Sequence, residues 1–256
     1  MRRNAGAGVR IYIYLRMNSE VLKAKNLERH FEGTDRSFTL RVPQFSVTAG
    51  SVNIVIGRSG CGKSTLLDML GLISVADAAD EFQIRSGDGK WVDICHANTA
   101  QMESLRRHEL GYILQTGGLL SFLKVIENVR LPMQSNGKAG VDVDKLMKWL
   151  GIDTLRNAYP SKLSTGQRQR VAIARALAGS PGIILADEPT GALDPVTAVN
   201  VRDLLILCAK EQGAAVLIVT HDAELFRPAA DYVFGFDICE QGNNVVSTLK
   251  QEGVKA

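Results

Sequence analysis

Gly57-Arg-Ser-Gly-Cys-Gly-Lys-Ser64 follows the apolar segment Ser51–Ile56 and precedes Thr65–Leu70, which is compatible with a helix. The octapeptide matches the pattern G-x-x-x-x-G-K-[ST], and the order strand, loop, helix is the context that this pattern requires. Glycines let backbone N–H groups turn toward phosphate oxygens, and the N-terminus of the following helix adds the positive end of its dipole. We therefore predict a nucleotide phosphate site at this loop.

Individual residues of the loop have separate predicted roles. The Lys63 ammonium would reach the β- and γ-phosphates, and the Ser64 hydroxyl would ligate Mg²⁺. Cys61 has two interpretations: a small side chain that the loop tolerates, or a redox-sensitive thiol whose pKa is lowered by the helix N-terminus. The residues predicted to contact nucleotide here are Gly57, Arg58, Ser59, Gly60, Cys61, Gly62, Lys63, Ser64 and Thr65.

Two carboxylates end a second apolar run. Asp187 and Glu188 directly follow Ile183–Ala186. In a parallel sheet such an ending places them at the carboxyl edge, beside the phosphate loop. Asp187 suits Mg²⁺ binding, and Glu188 suits polarisation of an attacking water. By themselves the two acids could be a solvated strand end, but together with the phosphate loop they indicate a catalytic pair.

A third pattern lies sixteen residues before the acidic strand. Leu163-Ser-Thr-Gly-Gln167 precedes the helical segment RQRVAIARAL. Ser164 and Gln167 form an S-x-x-Q capping box, which is also expected at an ordinary helix start. Because a helix N-terminus attracts anions, the segment is a candidate second anion site.

Alternation of strand and helix patterns predicts an α/β fold with a mostly parallel sheet covered by helices. The continuous apolar runs Ile183–Ala186 and Ala215–Thr220 are typical of buried parallel strands. Residues 80–96 have the pattern of a hairpin that turns at Ser86–Lys90. Further strands are expected at Val21–Leu27, Phe38–Val47 and Ser51–Ile56, and helices around residues 99–108, 142–150, 165–178 and 196–212.

Charge and composition exclude several classes of protein. The formal charge is +3, but residues 1–16 contain four arginines and no acid, so removing them leaves −1 for the remainder. This balance does not support nucleic-acid binding. Four dispersed cysteines and only four histidines argue against a structural zinc site or a disulfide framework. No apolar run is long enough to span a bilayer. Residues 1–16 are expected to be a disordered leader or an upstream-start extension.

Six elements in family order resemble an ATP-binding cassette (ABC) ATPase over residues 17 to about 240. LSTGQ resembles the family signature LSGGQ, with Thr165 in place of a glycine. The other matches are Gln115 in GYILQ (Q-loop), Ala192-Leu-Asp194 (D-loop), His221 (switch histidine) and Phe31 (the aromatic that stacks on adenine), beside the phosphate loop and the acidic strand.

The resemblance implies a fold and a set of roles. It implies a P-loop NTPase core, an N-terminal antiparallel β subdomain and a helical subdomain at about 116–178, all within an ATPase domain at 17–240. Residues 241–256 are set apart as a C-terminal tail. The implied cofactors are ATP and Mg²⁺. The implied residues are Lys63, Glu188 and His221 for catalysis, Ser64, Gln115 and Asp187 for the metal, and Phe31, Gln115, Ser164, Gly166, Gln167 and Asp194 for nucleotide.

The resemblance also implies partners. In this family each ATP lies between Lys63 of one subunit and Ser164 of the other, so a head-to-tail homodimer is expected. Integral membrane permease-type subunits would dock near residues 115–133, which places the protein on the cytoplasmic face of the inner (plasma) membrane. The apolar residues of this segment, Leu119, Leu120, Phe122 and Leu123, could equally be core.

Two branches of the family stay open. ENVRLPM (127–133) and ADEPTGALD (186–194) resemble the lipoprotein-releasing, macrolide-exporting and cell-division group (LolD-, MacB- and FtsE-like). Members of that group export, extract lipoproteins or lipids, or transmit force across the membrane. The alternative is a soluble ABC ATPase without a membrane partner, such as an iron–sulfur assembly ATPase. A generic P-loop kinase or GTPase does not account for LSTGQ and His221.

Overall fold

A computed structural model describes residues 19–34, 36–135 and 141–254 of the chain. The predicted leader at 1–16 lies outside these residues. Within the described ranges, ten strands form one sheet. They are β1 (Glu20–Glu32), β2 (Ser37–Thr48), β3 (Val52–Ile56), β4 (Glu81–Arg85), β5 (Trp91–Asp93), β6 (Leu110–Ile113), β7 (Ile183–Asp187), β8 (Ala215–Thr220), β9 (Tyr232–Gln241) and β10 (Asn244–Val254).

Helices connect and cover these strands. The α-helices are α1 (Lys63–Leu70), α2 (Thr99–His108), α3 (Val125–Arg130), α4 (Val143–Trp149), α5 (Thr165–Ala178), α6 (Pro195–Gln212) and α7 (Ala223–Phe226). Short 3₁₀ helices lie at Ile94–His96, Leu131–Ser135, Asp153–Leu155, Pro160–Lys162 and Arg227–Ala229. In the described part of the chain, none of the helices combines the length and the apolar character needed to cross a membrane.

The sheet has a parallel part and an antiparallel part, in the order β5-β4-β1-β2-β10-β9-β3-β8-β7-β6. Strands β9, β3, β8, β7 and β6 are parallel to their neighbours in that run. Strands β5, β4, β1 and β2 pair antiparallel. The predicted α/β fold, with a parallel core and an N-terminal antiparallel β region, is confirmed.

The central parallel strands are buried on both faces, which explains their unbroken apolar sequences. Along β7, Ile184 and Ala186 face the core that contains α5 and α6, whereas Ile183 and Leu185 face the core that contains α1. Strand β8 alternates in the same way. The carboxyl end of β7 therefore carries Asp187 out of a rigid, fully packed layer.

The structure corrects the expectation of a tail after residue 240. Asn244–Val254 is β10, which pairs antiparallel with β9 and parallel with β2. Its Ser247 and Leu249 are buried. β10 is thus an internal strand that joins the antiparallel and parallel parts of the sheet. Its polar composition (NVVSTLKQEGV) has no marked apolar alternation, and its pairing depends on strands distant in sequence.

Candidate nucleotide-binding site

A cavity of about 520 Å³ opens where the phosphate loop meets the carboxyl ends of β7 and β8. Eleven of the predicted site residues line it. They are Phe31, Ser59, Gly60, Gly62, Lys63, Ser64, Thr65, Gln115, Asp187, Glu188 and His221, together with Phe38, which was not predicted.

The backbone of the phosphate loop requires glycine at two positions. Gly60 and Gly62 have φ angles of 81° and 100°, in the region that L side chains rarely adopt. Gly62 is also the N-cap of α1, and a Cβ there would lie 3.1 Å from the Phe38 ring and 3.2 Å from Leu40. The loop is therefore held tightly against β2, and Gly60 and Gly62 line the cavity.

Lysine and serine of the loop are fixed by different partners. The Lys63 ammonium donates to the carbonyl oxygens of Gly57 (2.9 Å) and Arg58 (3.1 Å), which holds its charge at the loop. The Ser64 hydroxyl donates to Oδ2 of Asp187 at 2.8 Å. The two predicted metal ligands on α1 and β7 are thus in direct contact.

Burial raises the pKa of Asp187 above its ordinary value, and the negative charges of Glu188 and Asp68 act in the same direction. The hydrogen bond from Ser64 and the charge of Lys63 oppose this shift. Burial therefore disfavours the ionised carboxylate, and a bound cation would stabilise it. One buried carboxylate beside a hydroxyl fits Mg²⁺, which uses few protein ligands and completes its shell with phosphate and water oxygens.

Glu188 and His221 form a second pair across the cavity. Oε2 of Glu188 lies 2.8 Å from Nδ1 of His221 and accepts the His221 backbone N–H at 3.2 Å. The Glu188 side chain is 10% exposed, whereas that of His221 is 71% exposed. Glu188 itself has a φ of +46°, and its N–H donates to Val219 O of β8. Strain of this kind is common where a side chain must be aimed at a site.

Cys61 is buried, at 2% exposure. Burial raises the pKa of its thiol, and this effect outweighs the opposing charge of Lys63. A buried thiol with a raised pKa is unreactive. Its burial and the direction of this shift favour the interpretation of a small side chain over that of a redox-sensitive thiol. The Cys61 side chain also explains why residue 57 is a glycine, since a Cβ there would lie 2.6 Å from the Cys61 sulfur.

Aromatic side chains form the outer wall of the cavity. Phe31 is 42% exposed, and its ring centroid lies 6.4 Å from that of Phe38 on the paired strand. The Arg29 guanidinium lies 5.1 Å from the Phe31 centroid on the ring face. An exposed ring held in this way is available for stacking with a planar base.

The signature residues lie outside this cavity. Ser164 caps α5 with a reciprocal capping box, in which Ser164 Oγ accepts from Gln167 N–H (3.2 Å) and Gln167 Oε1 accepts from Ser164 N–H (2.8 Å). A Cβ at Gly166 would be 3.2 Å from Ala192 O, so the signature packs against the D-loop. Asp194 caps α6, and the hydrogen bonds from Thr197 lower its pKa. Ser164, Gly166, Gln167 and Asp194 are not among the residues that line the cavity, and Gly166 lies beside Ala192 and Leu193 of the D-loop.

Comparison with known proteins establishes the family. Residues 40–191, more than half of the chain, match the model of the family described as ABC transporter. The chain belongs to the ABC transporter family. It is an ATP-hydrolysing cassette.

Solved structures agree with this assignment. The chain is similar to the dimeric, post-hydrolysis state of the ATP-binding cassette MJ0796 bound to ADP and Pi, with a TM-score of 0.75 and 28% identity over 92% of this chain and 99% of that one. A second dimeric structure of MJ0796, described as a bacterial ABC transporter cassette, has a TM-score of 0.73 and 30% identity over 88% and 96%. A nucleotide-free cassette from an ABC transporter shares the fold, at 22% identity and a TM-score of 0.66 over 89% and 90%.

Polar contacts link the Q-loop of this cassette to two other elements. Arg175 of α5 donates to the carbonyl oxygens of Gly118 (2.7 Å) and Gly117 (3.2 Å), just after Gln115. Tyr112, three residues before Gln115, donates to Asp68 of α1 at 2.9 Å. The segment around Gln115 is therefore tied both to the signature helix and to the helix that carries Ser64.

Sequence reasoning missed three residues of the cassette site. Phe38 is recognisable only once the register of β1 and β2 places it opposite Phe31. Tyr112 sits within the quoted segment GYILQ, but its partner Asp68 is 44 residues away. Ser247 donates to Cys61 O from the supposed tail, and no local pattern marks it.

Proposed function

We propose that this cassette binds Mg²⁺–ATP in the described cavity, hydrolyses it as a head-to-tail homodimer, and drives a separate membrane protein. The observation that carries the proposal is the convergence, in one cavity, of the phosphate loop, the Ser64–Asp187 pair and the Glu188–His221 pair. Each pair supplies one requirement of phosphoryl transfer to water: a cation site and a base.

Nucleotide binding is assigned to the loop and the aromatic wall. Backbone amides of the loop and the Lys63 ammonium would hold the phosphates, while Phe31 would stack on adenine. Ser64, Asp187 and Gln115 would hold Mg²⁺, which neutralises charge on the phosphate oxygens when it is bound. These are hard oxygen donors, as this cation requires.

Hydrolysis is assigned to Glu188. Its carboxylate would accept a proton from a water that attacks the γ-phosphate, giving ADP and phosphate. The hydrogen bonds from the His221 backbone and ring fix the direction of Glu188 Oε2, so the base is aimed before substrate binds. His221 is also exposed enough to contact the γ-phosphate directly.

A second copy of the chain would complete each site. Ser164 and Gly166 lie at a helix N-terminus that suits an anion, and neither residue lines the cavity of its own chain. MJ0796 forms dimers, one of them bound to ADP and Pi. We infer two composite sites, in which ATP favours the closed dimer and hydrolysis releases it.

The membrane partner would dock beside the Q-loop. A groove of about 340 Å³ is lined by Tyr112, Leu120, Leu131, Pro132 and Arg175, among others. Phe122 is 72% exposed nearby in sequence, which favours a partner surface there, whereas Leu119 packs against the core. The groove residue Arg175 also holds the Q-loop glycines, so a partner that moves it would move Gln115.

Asn128 of the segment ENVRLPM has a structural role. The buried Asn128 amide donates to the carbonyls of Leu120, Leu123 and Lys124 and accepts from Leu120 N–H. It therefore shapes the loop that presents Phe122.

We propose that the protein lies at the cytoplasmic face of the membrane. We also propose that it belongs to the lipoprotein-releasing, macrolide-exporting or cell-division branch of the family.

Glu188→Gln tests the hydrolytic assignment. We expect ATP binding and ATP-dependent dimers to be retained, since a glutamine oxygen still accepts the bond from His221 N–H. Hydrolysis should fall by about a hundredfold or more, the usual contribution of a general base. Phosphate release and size-exclusion chromatography measure the two effects. Glu103→Gln, on the exposed surface of α2, is the control, and wild-type turnover in Glu188→Gln would refute the assignment.

Purification from membranes tests the partner. We expect the wild-type protein to fractionate with membranes and to co-purify with a multi-span protein, and Phe122→Ser to lose this association while it keeps ATP binding. Ile238→Ser, which alters an exposed residue of β9, is the control. Quantitative recovery of the wild-type protein without any membrane protein would favour the soluble alternative instead.

A further inference from the structure

A buried hydrogen bond connects β10 to the phosphate loop. Ser247 Oγ donates to the carbonyl oxygen of Cys61 at 2.6 Å, across 186 positions of sequence. Ser247 has no exposed surface, and Cys61 is 2% exposed. The bond is therefore shielded from water. In the protein interior a hydrogen bond is strong, and loss of this one would leave the Cys61 carbonyl unsatisfied.

This bond sets the direction of a loop amide. The Cys61 carbonyl and the Gly62 N–H belong to one trans peptide plane and point in opposite directions. Because Ser247 holds the carbonyl toward β10, the Gly62 N–H is turned away from the sheet. Gly62 lines the nucleotide cavity, where an N–H turned away from the sheet would meet a phosphate.

The other hydrogen bonds of the loop hold neighbouring peptides. Cys61 N–H donates to Arg58 O (3.3 Å), Leu66 N–H donates to Gly62 O (2.8 Å), and the Lys63 ammonium donates to two loop carbonyls. Gly57 is packed near the Phe236 ring of β9, and Gly62 near Phe38 and Leu40 of β2. The apolar contacts limit how closely the loop approaches the sheet, and the hydrogen bonds just named engage neither the Cys61 carbonyl nor the Gly62 N–H. A hydroxyl-to-carbonyl hydrogen bond is directional, so the bond from Ser247 restricts rotation of this peptide.

We propose that Ser247 is a positioning residue for nucleotide binding, which orients the Cys61–Gly62 peptide so that the loop is preorganised for phosphate. The inference rests on the proposed function of the cavity. The hydroxyl touches no substrate, and it acts through the loop backbone. An isolated stability role would leave nucleotide affinity unchanged, whereas a positioning role predicts weaker binding of ATP and ADP by a folded protein.

Ser247→Ala is the test, with affinity for Mg²⁺–ATP and Mg²⁺–ADP measured by calorimetry and hydrolysis measured across ATP concentrations. We expect affinity for both nucleotides to weaken roughly three- to tenfold, the range of one lost hydrogen bond. KM should rise by a similar factor while kcat at saturation stays near that of wild type. Ser247→Thr retains the hydroxyl and should restore affinity.

Ser51→Ala is the matched control. Ser51 is also a buried serine, and its hydroxyl donates to Thr48 O at 2.7 Å, away from the loop. We expect it to lose thermal stability without loss of nucleotide affinity. If Ser247→Ala does not fold, Ser247→Cys replaces it in the test, because its thiol is a weaker donor than the hydroxyl. Ser247→Cys should then also bind nucleotide more weakly than wild type, but by a smaller factor than expected for Ser247→Ala.

The outcomes separate the two proposals. Wild-type affinity in Ser247→Ala or Ser247→Cys would overturn the positioning role and leave the nucleotide site intact. An equal loss of affinity in Ser51→Ala would overturn it too, because the effect would then be general. Failure of the wild-type protein to bind nucleotide would overturn the proposed function together with this inference.

Discussion

At the scale of single residues, Asp187 shows a conflict between stability and function. Its raised pKa means that the native state holds the carboxyl proton more tightly than the unfolded chain does. Without a metal, stability therefore falls as pH rises from the unfolded pKa, near 4, through the raised folded pKa. The ionised form that Mg²⁺ needs is thus destabilising in its absence.

We predict that Asp187→Asn stabilises the metal-free protein at pH 7, by about 1 kcal/mol in the free energy of unfolding. The asparagine oxygen can still accept from Ser64, while the desolvated charge is removed. Hydrolysis should fall by at least about a hundredfold, because the metal loses its anionic ligand. Urea denaturation and phosphate release measure the two effects. Asp153→Asn, an exposed change, is the control, and a less stable Asp187→Asn would contradict the argument.

Substitution of Gly60 and of Gly62 by alanine would distinguish the cost of backbone strain from the cost of a steric clash. Both have positive φ, but a Cβ meets nothing within 4 Å at Gly60 and lies 3.1 Å from Phe38 at Gly62. We predict a loss of about 1 kcal/mol for Gly60→Ala and of about 3 kcal/mol for Gly62→Ala, since overpacking adds to backbone strain. Thermal denaturation measures both, and equal losses would show that the contact with β2 is unimportant.

At the scale of elements, the start of α5 combines a helix cap with a candidate anion site. The Ser164 hydroxyl accepts the Gln167 N–H, and the same hydroxyl is proposed to contact ATP of a second subunit. The signature could therefore matter for stability, for catalysis or for both, and substitutions at Ser164 distinguish these.

We predict that Ser164→Asp keeps the stability of α5 within about 0.5 kcal/mol, because aspartate is an equally good N-cap. ATP-dependent dimerisation and hydrolysis should nevertheless be lost, since the carboxylate repels the γ-phosphate. Ser164→Ala, the comparison variant, should lose about 1 kcal/mol with the cap. Circular dichroism melts and light scattering with ATP measure these effects. A dimerising, active Ser164→Asp would exclude the composite site.

At the scale of the whole molecule, β10 unites the two parts of the sheet. It pairs with β2 on one side and β9 on the other, and it carries the buried Leu249 and Ser247. Removal of β10 would leave the paired edges of β2 and β9 without a partner strand, and it would expose the Cys61 carbonyl of the phosphate loop.

We predict that a chain shortened to residue 243 loses at least about 4 kcal/mol of stability, from one buried leucine and two strand ladders. A control chain that ends at Val254 keeps all of β10 and should behave as wild type. Soluble yield and thermal melts measure the difference. A stable, ATP-binding chain of 243 residues would show that the segment is, after all, a dispensable tail.

Local patterns were sufficient for much of the fold and site. The helix predicted at 165–178 coincides with α5, and Ile183–Ala186 lies in β7. The loop from Gly57 to Ser64 and the acids after β7 meet in one cavity, because the carboxyl ends of parallel strands share an edge. Such features depend on residues close in sequence or on a general rule of parallel sheets.

The sequence by itself determined the phosphate loop, the acidic strand end, the capping box and the class of fold, since glycine geometry, apolar runs and caps act within a few residues. Only the tertiary structure decided that Phe38 faces the cavity, that Cys61 is buried, and that Ser247 reaches the loop from β10. These facts depend on strand register and burial. Both arise from contacts between distant segments, such as Cys61 and Ser247 at 186 positions apart, which no local pattern encodes.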